Sequence, residues 1–128
     1  MVKRIDREGP IHMECLRFLR RRLPARAAKT IWHTPNENAH KVQFRKRLRD
    51  LGLKSGVGDI SFVWDGAYYE IEVKADSRQS PDQVSRQSDL WAAGARYAVV
   101  HCIQDLEDAL GRWGVPLLAD EIPAARAG

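Results

Sequence analysis

The residues of this 128-residue chain whose types and spacing could do chemistry stand in one stretch. They are Asp59, Glu70 and the tripeptide Glu72-Val73-Lys74, within the run GVGDISFVWDGAYYEIEVK from Gly56 to Lys74. Two β-branched and aromatic runs flank Asp65-Gly66, a preferred two-residue hairpin turn. With that pair as the loop, Trp64 opposes Ala67 and, counting outward, Asp59 opposes Glu72. Side-chain alternation agrees. Ile60, Phe62, Trp64, Tyr69, Ile71 and Val73 share one face. Asp59, Ser61, Val63, Tyr68, Glu70, Glu72 and Lys74 share the other, and a one-residue slip would break this pattern. Opposed residues have Cβ atoms roughly 4.5–5.5 Å apart, and like charges there repel. Two facing carboxylates therefore call for a positive charge. A hard divalent cation is one solution, because Mg²⁺ is typically held by one or two carboxylates with waters and phosphates. A solvated outer face, its acids screened and paired with Lys74, is the other.

Composition sets the frame for these elements. The length suits one domain over residues 1–128, long enough for a real core. Hydrophobic content of 44% and charged content of 30% are those of an ordinary soluble protein. No apolar run approaches the ~20 residues of a membrane span, and charges interrupt Ile11 to Leu23, unlike a secretory signal. Cys15 and Cys102 lie in apolar-patterned segments and read as reduced core residues of a cytoplasmic protein. The formal net charge of +4 favours an anionic partner. Arg17, Arg20, Arg21, Arg22 and Arg26 form one basic zone. Lys41, Arg45, Lys46, Arg47, Arg49 and Lys54 form a second. Two basic zones around a carboxylate pair suggest phosphate backbone on either side of it; each zone alone reads as a solvated helix face.

In chain order, Pro10 suits the first turn of a helix, and Ile11, Cys15, Phe18, Leu19 and Leu23 recur at helical spacing until Pro24. Glu14 is the acid in this basic helix, by itself a surface charge or a partner for Arg17 or Arg21. Lys29 to His33 suits a short strand, and His33 is either structural or a metal or phosphate contact. Thr34-Pro35-Asn36-Glu37 has capping-box form, opening a basic helix to about Leu51 with Ala39, Val42, Leu48 and Leu51 on its buried stripe and Phe44 a further candidate for it. Lys54 to Gly58 is a glycine-bearing entry to the hairpin, either a phosphate approach or a plain turn. Ser80-Pro81-Asp82-Gln83 is a second capping box, before a helix to about Ala93. Arg96 to Cys102 reads as a buried strand, Gln104 to Trp113 as a last helix, and the tail as marginally ordered. This order predicts an α/β fold with a mixed sheet, in which Glu72, the Ser80 helix and Val99 form a parallel crossover.

These residues resemble a known family. Asp59 followed by Glu72-Val73-Lys74 on the adjacent strand resembles the PD-(D/E)xK nuclease superfamily. The ordered set of His33-Thr34-Pro35-Asn36, Gly52 through Asp59, Glu72-Val73-Lys74 and Ser80-Pro81-Asp82-Gln83 resembles its virus-type replication-repair nuclease branch, VRR-NUC. The likeness covers about Ile11 to Trp113. Two features depart from it: Gly58 stands where the family commonly has proline, and Glu70 adds an acid to the active face. The resemblance implies a restriction-endonuclease-like mixed β-sheet flanked by helices.

It also implies hydrolysis of phosphodiester bonds with Mg²⁺, for which Mn²⁺ substitutes. Asp59 and Glu72 would hold the metal, with the Val73 carbonyl as a further ligand and Glu14 completing the site. Lys74 would orient the attacking water or stabilise the charged transition state. Gln83 would position the site or contact substrate, unless it is only a cap. Glu70 would be an auxiliary ligand or base, unless it merely bonds Ser61, and His33 and Asn36 are further candidates. Lys41, Arg45, Lys46, Arg49 and Lys54 would bind DNA. The resemblance points to a DNA-processing enzyme of a bacterial or phage-infected cell, acting on branched DNA such as four-way junctions. Two cuts at a junction need two active sites, so a symmetric homodimer is expected. The alternatives are a nickase or flap nuclease, an enzyme acting on RNA, a catalytically inactive nucleic-acid-binding module with the same fold, and a domain that binds an acidic protein.

Overall fold

A computed structural model describes residues 7–34, 46, 50–52 and 56–120. The elements are α1 (Glu8–Arg22), α2 (Ala25–Ala28), β1 (Trp32–His33), β2 (Ile60–Trp64), β3 (Ala67–Val73), α3 (Pro81–Ala92), β4 (Arg96–Val100) and α4 (Ile103–Arg112). The strands form a mixed sheet in an α/β fold, as the element order predicted; their order in it is β1-β2-β3-β4. The first three are antiparallel and β4 joins β3 in parallel. At the hairpin, Asp65 and Gly66 both take positive φ, 49° and 78°, as a two-residue turn that follows the strand twist requires. Trp64 pairs with Ala67 and the register runs out to Ile60 with Ile71. Glu72 pairs with Val99 across the crossover.

The ladder stops one residue short of the expected Asp59–Glu72 pair. Asp59 leaves the strand at a bend. Its amide donates to the Ile71 carbonyl at 2.8 Å, and its carbonyl accepts from Thr34 N–H at 2.9 Å. Asp59, the residue before β2, thus bonds toward the β1 side of the sheet through its carbonyl and toward β3 through its amide and its carboxylate.

One face of the sheet is apolar. Ile60, Phe62, Ile71, Val73 and Val100 are fully buried there with Cys15, Leu16 and Leu19 of α1 and Leu106 and Leu110 of α4. Fully burying side chains of this size contributes about 1.5–3 kcal/mol each. The buried stripe of α1 is His12, Cys15, Leu16 and Leu19 with Phe18, so His12 joins the apolar spacing seen in the sequence. Pro24 ends α1 as expected, then caps the one-turn α2, which hydropathy periodicity is too coarse to register.

α3 covers the other face, since it reaches Glu70 and Glu72, whose side chains point away from Ile71 and Val73. The Ser80 capping box is present, with Pro81 in the first turn. Four expectations need correction. Cys102 is exposed rather than buried, because it sits at the N-cap of α4 after the strand has ended. Leu51 is 76% exposed and so does not lie on a buried stripe. The chain after α4 is ordered through Asp120: Arg22 Nε donates to the Leu118 carbonyl at 2.5 Å and Arg21 pairs with Asp120 at 3.0 Å. Two arginines of the first basic zone are thus engaged in holding this segment. The solvated outer face proposed for Glu70 and Glu72 is instead a covered one. Among the described residues no helix is long and apolar enough to cross a membrane.

Candidate active site

The site lies where β2 leaves the sheet beside β3. Asp59 Oδ2 accepts a hydrogen bond from Val73 N–H at 2.7 Å. With its own amide on the Ile71 carbonyl, Asp59 touches the residues on both sides of Glu72 and so stands beside it. A carboxylate that stands in for a backbone acceptor is held tightly, since a charge-assisted bond is roughly twice as strong as a neutral one. Glu72 is buried, and its Oε1 accepts from Gln83 Nε2 at 2.8 Å. Gln83, itself 8% exposed, also caps its helix: its Oε1 accepts from Ser80 N–H at 2.8 Å, and its own N–H donates to Ser80 Oγ at 3.2 Å. Cap and tether are the two ends of one amide: its oxygen closes the capping box and its nitrogen holds Glu72. Lys74 follows half-buried at the end of β3, its amide on the Val100 carbonyl at 3.0 Å.

Glu70 has no exposed surface and is fully hydrogen-bonded. Oε2 accepts from Gly58 N–H at 2.9 Å and Arg86 Nε at 3.1 Å. Oε1 accepts from Tyr68 Oη at 2.7 Å and Arg86 Nη2 at 2.9 Å. Burial, the largest influence, pushes its pKa upward. The hydrogen bonds from Arg86, Tyr68 and Gly58 and the Arg86 charge outweigh that, and the net value is lowered. A carboxylate has about four lone-pair sites, and Glu70 spends them on the protein. The cation that compensates it is Arg86, not Lys74.

The glycines of the entry serve packing. A Cβ on Gly58 would stand 2.7 Å from Glu70 Cγ and 2.8 Å from the Ile71 carbonyl oxygen. Gly56, at φ 83°, runs against the first turn of α3, where a Cβ would lie 2.5 Å from the Asp82 carbonyl oxygen. Tyr97, paired with Glu70 across β3–β4, reaches the Gly56 carbonyl at 3.4 Å. Burial first, then the charges of Glu72, Glu70 and Asp59, raise its pKa strongly, so its hydroxyl stays protonated beside three acids.

Of the other expected residues, His33 faces the core side of the sheet with its register partner Ile60, and its Nδ1 lies 3.3 Å from Nε2 of His12 on α1. Glu14 is exposed on α1. Among the described residues no three His, Cys, Asp or Glu side chains are grouped so as to hold a metal ion. The Val73 contact to Asp59 is through its amide. Lys46 is helical and exposed. Asn36, Lys41, Arg45, Arg49 and Lys54, and most of the helix expected after Thr34, lie outside the described residues.

Arg86, Tyr97 and His12 escaped the sequence reading. For Arg86 a signal existed. A crossover helix lies antiparallel to the strand before it, and Gln83 and Arg86 are separated by about 4.5 Å of helix rise. Glu72 and Glu70 are separated by about 6.7 Å of strand, so the two pairs match in reverse order. For His12 and Tyr97 the apolar spacing masked the polar atoms.

Compared with known proteins, this chain is similar in structure to a solved "VRR_NUC domain protein", with a TM-score of 0.67 over 89% of this chain and 93% of that one, at 17% sequence identity. The chain shares the fold of that VRR_NUC domain protein. No family model and no curated protein matches the sequence.

Proposed function

We propose that the chain is a divalent-metal-dependent deoxyribonuclease that hydrolyses phosphodiester bonds, acting as a homodimer on branched DNA. The observation that carries this reading is the convergence of Asp59 and Glu72. Each is held on a protein donor, Val73 N–H or Gln83 Nε2, and Lys74 follows in the same strand end. Two carboxylates and a backbone carbonyl are an all-oxygen donor set. That chemistry fits Mg²⁺ or Mn²⁺, and one or two carboxylates suffice where water and phosphate complete the shell. Asp59, Glu72 and the Val73 carbonyl would hold the ion; bound there, it supplies Lewis-acid polarisation of a phosphoryl oxygen and a more acidic attacking water.

The protein's own groups do the rest. Val73 N–H and Gln83 Nε2 orient the two carboxylates, so no rearrangement is needed when phosphate arrives. The Lys74 ammonium orients the water or faces the charge that develops on phosphorus. Arg17, Arg20 and Arg26, with Lys41, Arg45, Lys46, Arg49 and Lys54, supply the salt-dependent attraction to the DNA backbone.

The test uses labelled four-way junction, flap, duplex and single-stranded DNA with Mg²⁺, with Mn²⁺ and with chelator. Cleavage that needs metal and falls at least ~100-fold in Lys74→Ala, with DNA binding retained, is the expected result. Binding without cutting under either metal would instead indicate a nucleic-acid-binding module. Duplex or single-stranded DNA cut in preference to both the junction and the flap would remove the branched-DNA assignment.

A further inference from the structure

We infer that the Glu70–Arg86 pair is a positioning device for the site, a single buried clamp that sets both Asp59 and Glu72; this rests on the metal-dependent reading above. The amide of Gly58 donates to Glu70 Oε2 at 2.9 Å, and the next residue is Asp59. Gly58 has no room for a Cβ, because Glu70 Cγ would lie 2.7 Å away. The glycine and the extra acid, the two departures noted in the sequence, are therefore one feature. Glu70 occupies the space that the missing side chain leaves and takes the N–H that a proline would lack. The chain entering Asp59 is pinned by a charge-assisted bond rather than by a ring.

The same carboxylate holds α3. Arg86 grips it through two nitrogens, Nε at 3.1 Å and Nη2 at 2.9 Å. Arg86 lies one turn beyond Gln83, whose amide holds Glu72 at 2.8 Å. Loosening the pair would free the backbone that presents Asp59 and shift the helix that orients Glu72. Tyr68, bonded to Oε1 at 2.7 Å, fixes the remaining freedom of the carboxylate.

Stability alone does not account for such a pair. Replacing a buried ion pair by apolar residues of similar size is often neutral or stabilising. That separates positioning from scaffolding experimentally. The full chain carrying Glu70→Met with Arg86→Met would be compared with wild type and with Asp59→Ala. The readouts are thermal melting, Mn²⁺ affinity by titration calorimetry, and hydrogen exchange of the Gly58 amide by NMR.

The double variant should melt cooperatively near the wild-type temperature. It should bind Mn²⁺ about 10- to 100-fold more weakly, the usual cost of losing a group that orients metal ligands, and exchange the Gly58 amide at least ~10-fold faster. Wild-type Mn²⁺ affinity in a folded double variant would overturn the proposal. If the double variant does not fold, Arg86→Lys decides, since it keeps the charge and loses the two-nitrogen grip. Affinity within about twofold of wild type would then overturn the clamp. If wild-type protein binds no Mn²⁺ at all, the metal-dependent reading falls by itself. The clamp is then judged on Gly58 exchange, and unchanged protection in either variant rejects it.

Discussion

Glu70 and Glu72 are identical in type, two positions apart and on the same face of one strand, yet their employment differs. Four donors surround Glu70, whereas Glu72 stands beside Asp59 and is held by Gln83. Nothing local separates them; the distinction comes from Gly58 and Arg86, 12 and 16 residues away. The buried acid also makes stability depend on pH. A folded value below the ordinary 4.5 means that the unfolded chain takes up the proton first. The contribution is complete above the ordinary value and is lost as pH falls through the folded one. His12 behaves the same way at higher pH. Burial, then the neighbouring His33, lowers it from 6.5, so its contribution is complete above 6.5 and is lost on acidification through its lower folded value. Urea midpoints taken from about pH 7 down to about pH 3 should therefore fall in two stages, each at most about 1.4 kcal/mol per pH unit for one proton. His12→Gln should abolish the upper stage and keep the lower. An upper stage that survives in this variant would show that another group carries it.

At the scale of elements, α3 decides the site. Only Gln83 of this helix is buried, and Val84 and Trp91 face solvent, so little apolar area fixes where the helix lies. Its placement depends on polar ties: the capping box at one end, the Gln83–Glu72 bond and the Arg86 grip along its length. The sequence showed the capping box because such a box is local. It did not show that Gln83 turns its other end to Glu72. Ser80→Ala should cost about 1 kcal/mol, the usual value of a lost cap. Gln83→Ala should cost about 1–3 kcal/mol more, because it also removes a donor from a buried carboxylate. Equal urea midpoints for the two variants would mean that the Glu72 bond adds nothing to stability.

Over the whole molecule, the two cysteines contrast a site in the core, on α1, with an exposed one at the start of α4. Cys15 has no exposed surface. Burial first, then the charges of Glu14, Cys102, Asp59 and Asp105, pushes its thiol up to about 12, and the thiol form is unreactive. Cys102 is exposed. Native protein treated with iodoacetamide should gain one adduct quickly, on Cys102, and the second only when urea unfolds the core. Mass spectrometry of the digested protein reads this directly. Equal rates at both cysteines in the native state would mean that α1 opens without global unfolding.

The sequence by itself determined the hairpin and its register, the α3 cap, the parallel crossover and the apolar face. Each follows from chemistry within a few residues: a two-residue turn that needs positive φ, alternation with period two, and a side chain that bonds a backbone three positions away. Tertiary structure decided what the other face meets. A strand pattern states that a face is polar but cannot say whether water, a helix or an ion lies above it. Only packing puts Arg86 on Glu70, Gln83 on Glu72 and Thr34 on the Asp59 carbonyl, so that β2 begins only at Ile60 and Asp59 turns onto Val73. The physical reason is range. Backbone preferences act between neighbours, whereas the pairing of buried charges depends on which distant segments exclude water together.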